Sequence, residues 1–564
     1  MDIEYEILQF FAYKKIIKRK QIPAILEECH RLNLPADKYL LGQKICTEAT
    51  ALSALGEFYN MAYCEMDMLE VDRDLIERFN LDFLKEKKIV PVRIDKNNVL
   101  LVACGRPLDF ASKSTIATFH TGRVEFILVP PVQIDIFVDG IAAVKSTQIA
   151  LQDLKKERDK RTVKNAMSDP ENQAIESESD VINAPSVRLV DSIIKEAIPF
   201  RASDIHIEPF EKVVRVRYRI DGDLQDRAEF LIESYPAISA RIKIMSGINI
   251  AERRIPQDGR INYVINGTEY DFRVSTMPTV YGEKFVIRIL DKSAFGFSRQ
   301  ELGFTVESNQ IIDNSLAHPH GIVLMTGPTG CGKSTTLYSF LRELNKEDVN
   351  IITVEDPVEY TLFGINQTQV NTKADMTFAA ALRSILRQDP DVIMIGEIRD
   401  EETAQIAIRA AITGHLVFST LHTNDAPGAL TRLMDMGVSS YLVADSLVGV
   451  ISQRLVKRLC PMCKKKGKTN AREMAMLGIS APVSICRPMG CQFCNNTGYK
   501  GRIAVHEIMY LNESIRGALS KNITTEQLRE VAIKNGMVPM WNACREYVFK
   551  GITSLQELMT LFMD

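Results

Sequence analysis

The sequence predicts a multidomain α/β protein whose second half is built on a mainly parallel sheet, and three observations carry that prediction. Four short, mainly apolar runs (residues 321–326, 350–355, 391–395 and 416–421) carry no charged residue in their interiors, as strands buried on both faces do not. Stretches of helical periodicity, residues 335–344, 378–387 and 403–412, alternate with them. A glycine-rich loop, Gly327-Pro-Thr-Gly-Cys-Gly-Lys-Ser334, joins the first of these strands to the first of these helices. It fits the phosphate-loop pattern G-x-x-x-x-G-K-[ST] without mismatch.

Composition bounds the remaining possibilities. A chain of 564 residues is too long for one core and predicts three or four domains. Hydrophobic content of 46% and charged content of 25% are those of an ordinary globular protein. A net charge of −3 gives no support to nucleic acid as the main partner. No run of eighteen apolar residues predicts a membrane span, and Met1-Asp-Ile-Glu-Tyr-Glu-Ile lacks the features of a signal peptide. Eleven cysteines in that setting point to a reducing cytoplasm, where clustered thiols bind metal. The expected location is cytoplasmic, peripheral to a membrane.

Residues 1–145 read as a small mixed α/β domain, with helical periodicity at 22–32 and 49–63 and strands at 99–104 and 124–129. Cys29, Cys46, Cys64 and Cys104 are scattered and read as small buried hydrophobes. With no catalytic constellation here, this part is expected to bind a partner. Residues 146–182 shift to charge runs and acidic, apolar-poor composition, which predicts a flexible linker, helical at its start. A second domain, residues 183–292, opens with an amphipathic helix at 187–198. Strands follow at 203–208 and 213–220, with Asp221-Gly222 as a turn. Period-two alternation puts Asp204, His206 and Glu208 on one strand face, read as a hydrogen-bonded or solvated face in preference to a metal site. Arg215, Arg217 and Arg219 share another face, while Arg273 and Arg288 lie on later strands. Such arginines either form surface salt bridges or complete a phosphate site.

The third domain carries the chemistry. Backbone N–H groups of Gly327, Pro328 excepted, and of Thr329, Gly330, Cys331 and Gly332 can converge on phosphate oxygens. Lys333 would reach the β- and γ-phosphates, and Ser334 and Thr335 open the helix, with the Ser334 hydroxyl completing a Mg²⁺ site. Cys331 reads as a filler position. In a parallel sheet ligands sit at the carboxyl ends of strands. Three polar residues end three of these strands: Glu355, Glu397 and His422. Phosphoryl transfer needs a carboxylate to orient water, another near Mg²⁺ and a polar group to sense the γ-phosphate. Glu355, Glu397 and His422 are assigned those roles in that order. Gly396 stands where a strand of this kind usually ends in Asp.

Cys460-Pro-Met-Cys463 and Cys491-Gln-Phe-Cys494 are separated by 27 residues and present four thiolates for a structural Zn²⁺, with Cys486 as a spare. Residues 503–564 read as mostly helical, with capping boxes at Thr524-Thr-Glu-Gln527 and Thr553-Ser-Leu-Gln556.

Several longer segments share one resemblance: Ala202-Ser-Asp-Ile-His-Ile-Glu-Pro209, Glu252-Arg-Arg-Ile-Pro-Gln-Asp-Gly-Arg260 and the phosphate loop. So do Thr353-Val-Glu-Asp-Pro-Val-Glu-Tyr360, the segment Leu386 to Asp400 and Ser419-Thr-Leu-His-Thr-Asn-Asp-Ala426. The tetracysteine site and Thr497-Gly-Tyr-Lys-Gly-Arg502 complete the set. Over residues 184–564 the chain resembles the secretion ATPase superfamily, specifically the assembly motors of type II secretion and type IV pili, in which Gly-Glu at 396–397 is usual. The resemblance implies a RecA-like ATPase domain at 293–564 carrying the zinc insertion at 460–494 and C-terminal helices, preceded by a PAS-like domain at 183–292. It implies a homohexamer with ATP between these two domains. Glu355 would be the catalytic glutamate and Glu397 the Walker B residue, with Arg217 and Arg273 on the phosphates. It also implies docking on an inner-membrane platform protein, with the N-terminal domain engaging another assembly component and no stable nucleic acid. Some members bind cyclic di-GMP through R-L-G-x-x-L repeats. Here Leu41-Gly-Gln-Lys-Ile45 lacks the Arg, so that ligand is not expected. Two other readings compete: a DNA-handling ATPase, disfavoured by charge and the single Trp, and a non-hydrolysing sensor, disfavoured by intact Lys333, Ser334, Glu355 and Glu397.

Overall fold

Most strands and helices fall where hydrophobic periodicity places them. The computed structural model describes residues 3–165, 185–291 and 298–562, except 33, 44, 266, 267, 492, 493 and 522. The backbone divides into two compact units, one of Met1–Ile289 with Cys491–Asn496 and the other of Leu290–Gly490 and Thr497–Asp564.

The first unit contains two sheets. The smaller has four strands, β1 (Ala62–Tyr63), β2 (Ile89–Ile94), β3 (Leu100–Cys104) and β4 (Val124–Leu128), in the order β1-β4-β3-β2. Helices Ile3–Tyr13, Ile22–Leu32 and Glu48–Phe58 share its core, in which Leu8, Phe11, Leu100, Val102 and Cys104 are buried. The helix expected over 49–63 ends at Phe58, and Ala62–Tyr63 pairs with β4 instead.

The larger sheet has six strands: β5 (Ala202–Pro209), β6 (Val213–Ile220), β7 (Asp223–Leu231), β8 (Gln257–Ile265), β9 (Thr268–Thr279) and β10 (Gly282–Asp291). Their order is β7-β6-β5-β10-β9-β8. Strand β6 alternates strictly: Val214, Val216, Tyr218 and Ile220 are buried, and the arginines between them are half-buried. The buried face packs on helices Pro185–Ala197 and Tyr235–Ser246 through Leu189, Ile193, Ile238 and Ile242. Asp221 and Gly222 both take positive φ, 51° and 98°, the geometry of a tight two-residue hairpin turn.

A single helix, Pro131–Asn165, runs through the boundary expected at 145. Ala150, Leu151 and Leu154 pack in the cluster that holds Leu189 and Ile193, so this stretch is anchored by apolar contacts. The rest of the expected linker, residues 166–182, lies outside the described residues.

The second unit is a seven-stranded sheet. It comprises β11 (Gly321–Thr326), β12 (Ile351–Glu355), β13 (Asn366–Gln369), β14 (Val392–Ile395), β15 (Leu416–Leu421), β16 (Leu447–Leu459) and, last in the chain, β19 (Tyr499–Tyr510). A separate hairpin pairs β17 (Lys465–Lys468) with β18 (Ser484–Arg487). The order is β13-β12-β14-β15-β11-β16-β19, parallel throughout except for the β16–β19 pair. Both faces are covered, and successive residues of β11 divide between them. Ile322 and Leu324 join one core with helices Glu401–Ile412 and Ala426–Asp435, while Val323 and Met325 join another with Lys333–Leu344.

Two expectations for the C-terminal part change. Residues 503–510 are strand, because β19 pairs with β16 over its length, and the helices begin at Glu513. The capping box at Thr524 forms with Gln527, but the last helix is capped by Ser554, which accepts from the Glu557 amide. Thr553 is instead committed to the Lys457 carbonyl at 2.7 Å, which shifts the cap by one residue.

Candidate active site and metal centre

The phosphate loop leaves the C-terminal end of β11 and enters helix Lys333–Leu344. Gly327, Gly330 and Gly332 take φ values of 144°, 78° and 88°. These positive values are favourable only without a Cβ, and they let successive amides turn inward as an anion cradle. The Lys333 ammonium is buried and donates to the Gly327 carbonyl at 2.8 Å and the Pro328 carbonyl at 3.1 Å. Burial lowers its pKa, while Cys331 and Glu397 act in the opposite direction. Thr329, Gly330 and Ser334 are exposed, and Thr335 is half-buried. A cavity of about 220 Å³ opens on the loop, bordered by Thr329, Cys331, Arg454, Leu455 and Glu557.

Glu397 follows β14 and His422 follows β15, and the adjacency of those strands brings the two together. His422 Nε2 lies 3.5 Å from Glu397 Oε2. Glu397 is also hydrogen-bonded by Arg399, whose other arm is 3.6 Å from Asp356. Glu355, at the end of β12, is buried. It accepts from the Tyr338 hydroxyl, from Thr353 at 2.6 Å and from Gln367 at 3.1 Å. Burial raises its pKa, and these donors act against the rise. Gly396 is explained by this neighbour. A Cβ there would stand 3.3 Å from Glu355 Cα and from the Val354 carbonyl, which the Gly396 amide bonds at 2.8 Å. The absence of a side chain lets the end of β14 lie close against β12.

Arg217 and Arg273 belong to the six-stranded sheet of the first unit. Arg217 lies on β6 and donates through Nε to Glu208 at 2.7 Å, and Lys284 holds the other Glu208 oxygen at 2.8 Å. Arg273 lies on β9 opposite Arg260 of β8. Asp204 is engaged by Arg288 at 3.0 Å, so the polar face of β5, expected to be hydrogen-bonded or solvated, is buried and ion-paired at Asp204 and Glu208.

The four cysteines Cys460, Cys463, Cys491 and Cys494 gather with all Sγ atoms within 4.8 Å of one another. Cys491 and Cys494 Sγ are 3.7 Å apart. A tetrahedral site with Zn–S bonds of about 2.3 Å has edges of roughly 3.8 Å, so the donor set fits Zn²⁺. Cys486 lies on β18, outside the cluster, against Gly551.

Sequence reasoning did not single out Arg399 or Tyr338. Arg399 stands two residues past Glu397, and its proximity was the available signal. Tyr338 reaches Glu355 from the face of the helix that follows the phosphate loop, which no local motif encodes.

Comparison with known proteins identifies the family. The family described as "Type II/IV secretion system protein" matches residues 179–560, and the "MshEN domain" matches residues 59–146. The chain belongs to the type II/IV secretion system protein family. It is a secretion ATPase, an enzyme that hydrolyses ATP. The type II secretion system protein E of Aeromonas hydrophila is 50% identical over 379 residues, 67% of this chain and 75% of that one. The type II secretion system ATPase E of Vibrio cholerae is 46% identical over 393 residues, 69% of this chain and 77% of that one. The X-ray structure of the Yersinia pseudotuberculosis ATPase DotB, 21% identical, covers 70% of this chain and 96% of its own with a TM-score of 0.50, a likeness of fold. Among the described residues of this secretion ATPase, no helix is long and apolar enough to cross a membrane.

Proposed function

We propose that this secretion ATPase works as a homohexameric motor on the cytoplasmic face of the inner membrane, driving assembly of a type II secretion pseudopilus. Relatives named for type II secretion, at 46% and 50% identity, favour that cargo over a type IV pilus. The observation that carries the reading is the convergence of Lys333, Glu397 and His422 at adjoining strand ends, with Glu355 on the next strand.

In this reading ATP takes the cradle of residues 327–332, and Lys333 exchanges the Gly327 and Pro328 carbonyls for β- and γ-phosphate oxygens. Ser334 and Glu397 would hold Mg²⁺, which would supply neutralisation of charge on the phosphates. Glu355 orients the attacking water, its raised pKa suiting it to accept a proton. His422 senses the γ-phosphate through Glu397. Arg217 and Arg273 complete a phosphate site, Arg217 leaving Glu208 with Lys284 as its counter-ion. Cys460, Cys463, Cys491 and Cys494 would hold a structural Zn²⁺. The N-terminal region, with its MshEN match, engages another component of the machine, and an inner-membrane platform protein receives the motion.

ATP turnover of the full chain, measured alongside particle mass and repeated with added DNA, tests the proposal. Turnover that rises with formation of six-subunit particles and ignores DNA is the expected result. Stimulation by DNA would favour a DNA-handling ATPase, and no turnover in confirmed hexamers would leave a sensor.

A further inference from the structure

Gln453, on β16, makes three side-chain contacts, and each ends on a different part of the nucleotide domain. Its Nε2 donates to the Cys331 carbonyl inside the phosphate loop at 2.6 Å. Its Oε1 accepts from the Thr336 hydroxyl, on the helix that follows the loop, at 2.8 Å. The same oxygen lies 3.0 Å from Nε2 of His506, the residue directly opposite on β19. The Cys331 carbonyl can only accept, so it fixes which end of the amide is nitrogen, and His506 Nε2 therefore carries the proton. His506 is buried and stacks on Phe304 with ring centroids 3.8 Å apart and planes 13° apart. Burial depresses its pKa to about 3, so it stays a neutral donor at physiological pH.

The consequence falls on one peptide plane. The Cys331–Gly332 bond is trans, and in a trans peptide the C=O and the following N–H point in opposite directions. Holding the Cys331 carbonyl on Gln453 therefore turns the Gly332 N–H away from β16. Two loop glycines are also fitted around this residue. A Cβ at Gly327 would meet the Gln453 carbonyl at 2.3 Å, and one at Gly332 would meet Gln453 Nε2 at 3.0 Å.

We infer that Gln453, held by His506 and Thr336, is a positioning residue that sets the Cys331–Gly332 peptide so that the loop presents the Gly332 N–H to a nucleotide phosphate. This deepens the phosphate-loop reading and rests on it. The residue touches no substrate. It acts by fixing in advance a conformation that the loop would otherwise have to be ordered into on binding.

The test uses the full chain, ATP affinity by calorimetry and steady-state kinetics. Gln453→Leu, of similar volume, is expected to weaken ATP binding at least tenfold and to raise KM with it, while kcat at saturating ATP falls by less than threefold. His506→Phe keeps the ring stack and removes the donor. It should weaken ATP binding about threefold alone and add nothing in the Gln453→Leu background, because it acts through that residue. Gln453→Glu keeps the acceptor for Thr336 and His506 but sets an oxygen against the Cys331 carbonyl. It should lose at least as much affinity as the Leu variant, and it carries the test should Gln453→Leu fail to fold. ATP affinity within twofold of the parent in both Gln453 variants, or fully additive effects of Gln453→Leu and His506→Phe, would overturn the inference. Lys333→Ala separates it from its premise. If Lys333→Ala binds ATP normally, the phosphate-loop reading fails. If it loses ATP while the Gln453 variants do not, only the positioning role fails.

Discussion

The two large sheets of this secretion ATPase arrange polar residues in opposite ways. In the six-stranded sheet, strands such as β6 bury one face and line the other with Arg215, Arg217 and Arg219, so charge is spread over a surface and neutralised along it by Asp226, Glu208 and Asp204 in turn. In the seven-stranded sheet, β11, β12, β14 and β15 are buried on both faces, so charged residues are confined to the strand ends. The first arrangement gives an ion-paired face, and the second concentrates Glu355, Glu397 and His422 beside one phosphate loop. A site assembled from strand ends depends on single residues, whereas a face of alternating charges shares its load.

That contrast orders the expected effects of substitution. Glu397→Gln should lower ATP turnover at least a hundredfold and raise the Mg²⁺ concentration needed for half-maximal rate, since it removes a charge from the metal shell. Unchanged Mg²⁺ dependence would remove Glu397 from that shell. Arg217→Ala should lower turnover about tenfold with the fold intact, because Glu208 keeps Lys284 as a partner at 2.8 Å. A loss as large as that of Glu397→Gln would mean that the face is no less dependent on single residues than the strand ends.

Two smaller effects concern stability. His506 is held neutral with a pKa of about 3, against an ordinary value of 6.5. Between those values the unfolded chain binds more protons, so stability is complete above pH 6.5 and is lost on acidification toward pH 3. The slope is at most about 1.4 kcal/mol per pH unit. Thermal melts of His506→Phe between pH 7 and 4 should lose that slope relative to the parent, and parallel melting profiles would contradict it. Thr524→Ala removes one half of the Thr524–Gln527 capping box. It should cost about 1 kcal/mol, read as a lowered denaturation midpoint of the second unit with turnover unchanged.

What the sequence revealed follows the same division. The phosphate loop, the tetracysteine site and the strand-end residues are written as contiguous or closely spaced motifs, and buried parallel strands announce themselves as unbroken apolar runs. That Asp204, His206 and Glu208 share one face of β5 was legible because period-two alternation fixes which side chains share a face, though not that the face is ion-paired. Contacts made by pairing of distant strands were not. Residues 503–510 read as part of a helical segment because their place beside β16 is set by tertiary pairing, and Gln453 gained its meaning only when β16 was laid beside the loop. Gly396 looked like a departure from a common strand ending. The closeness of Glu355 Cα, 3.3 Å from where a Cβ would stand, explains it.

The central claim is that ATP is cleaved at the strand ends with Glu355 as the residue that handles the water. The most direct measurement is a paired determination of ATP affinity and single-turnover hydrolysis for Glu355→Gln. The account predicts ATP binding within about threefold of the parent and hydrolysis reduced at least a hundredfold. Hydrolysis within tenfold of the parent would contradict it and pass the role to Glu397.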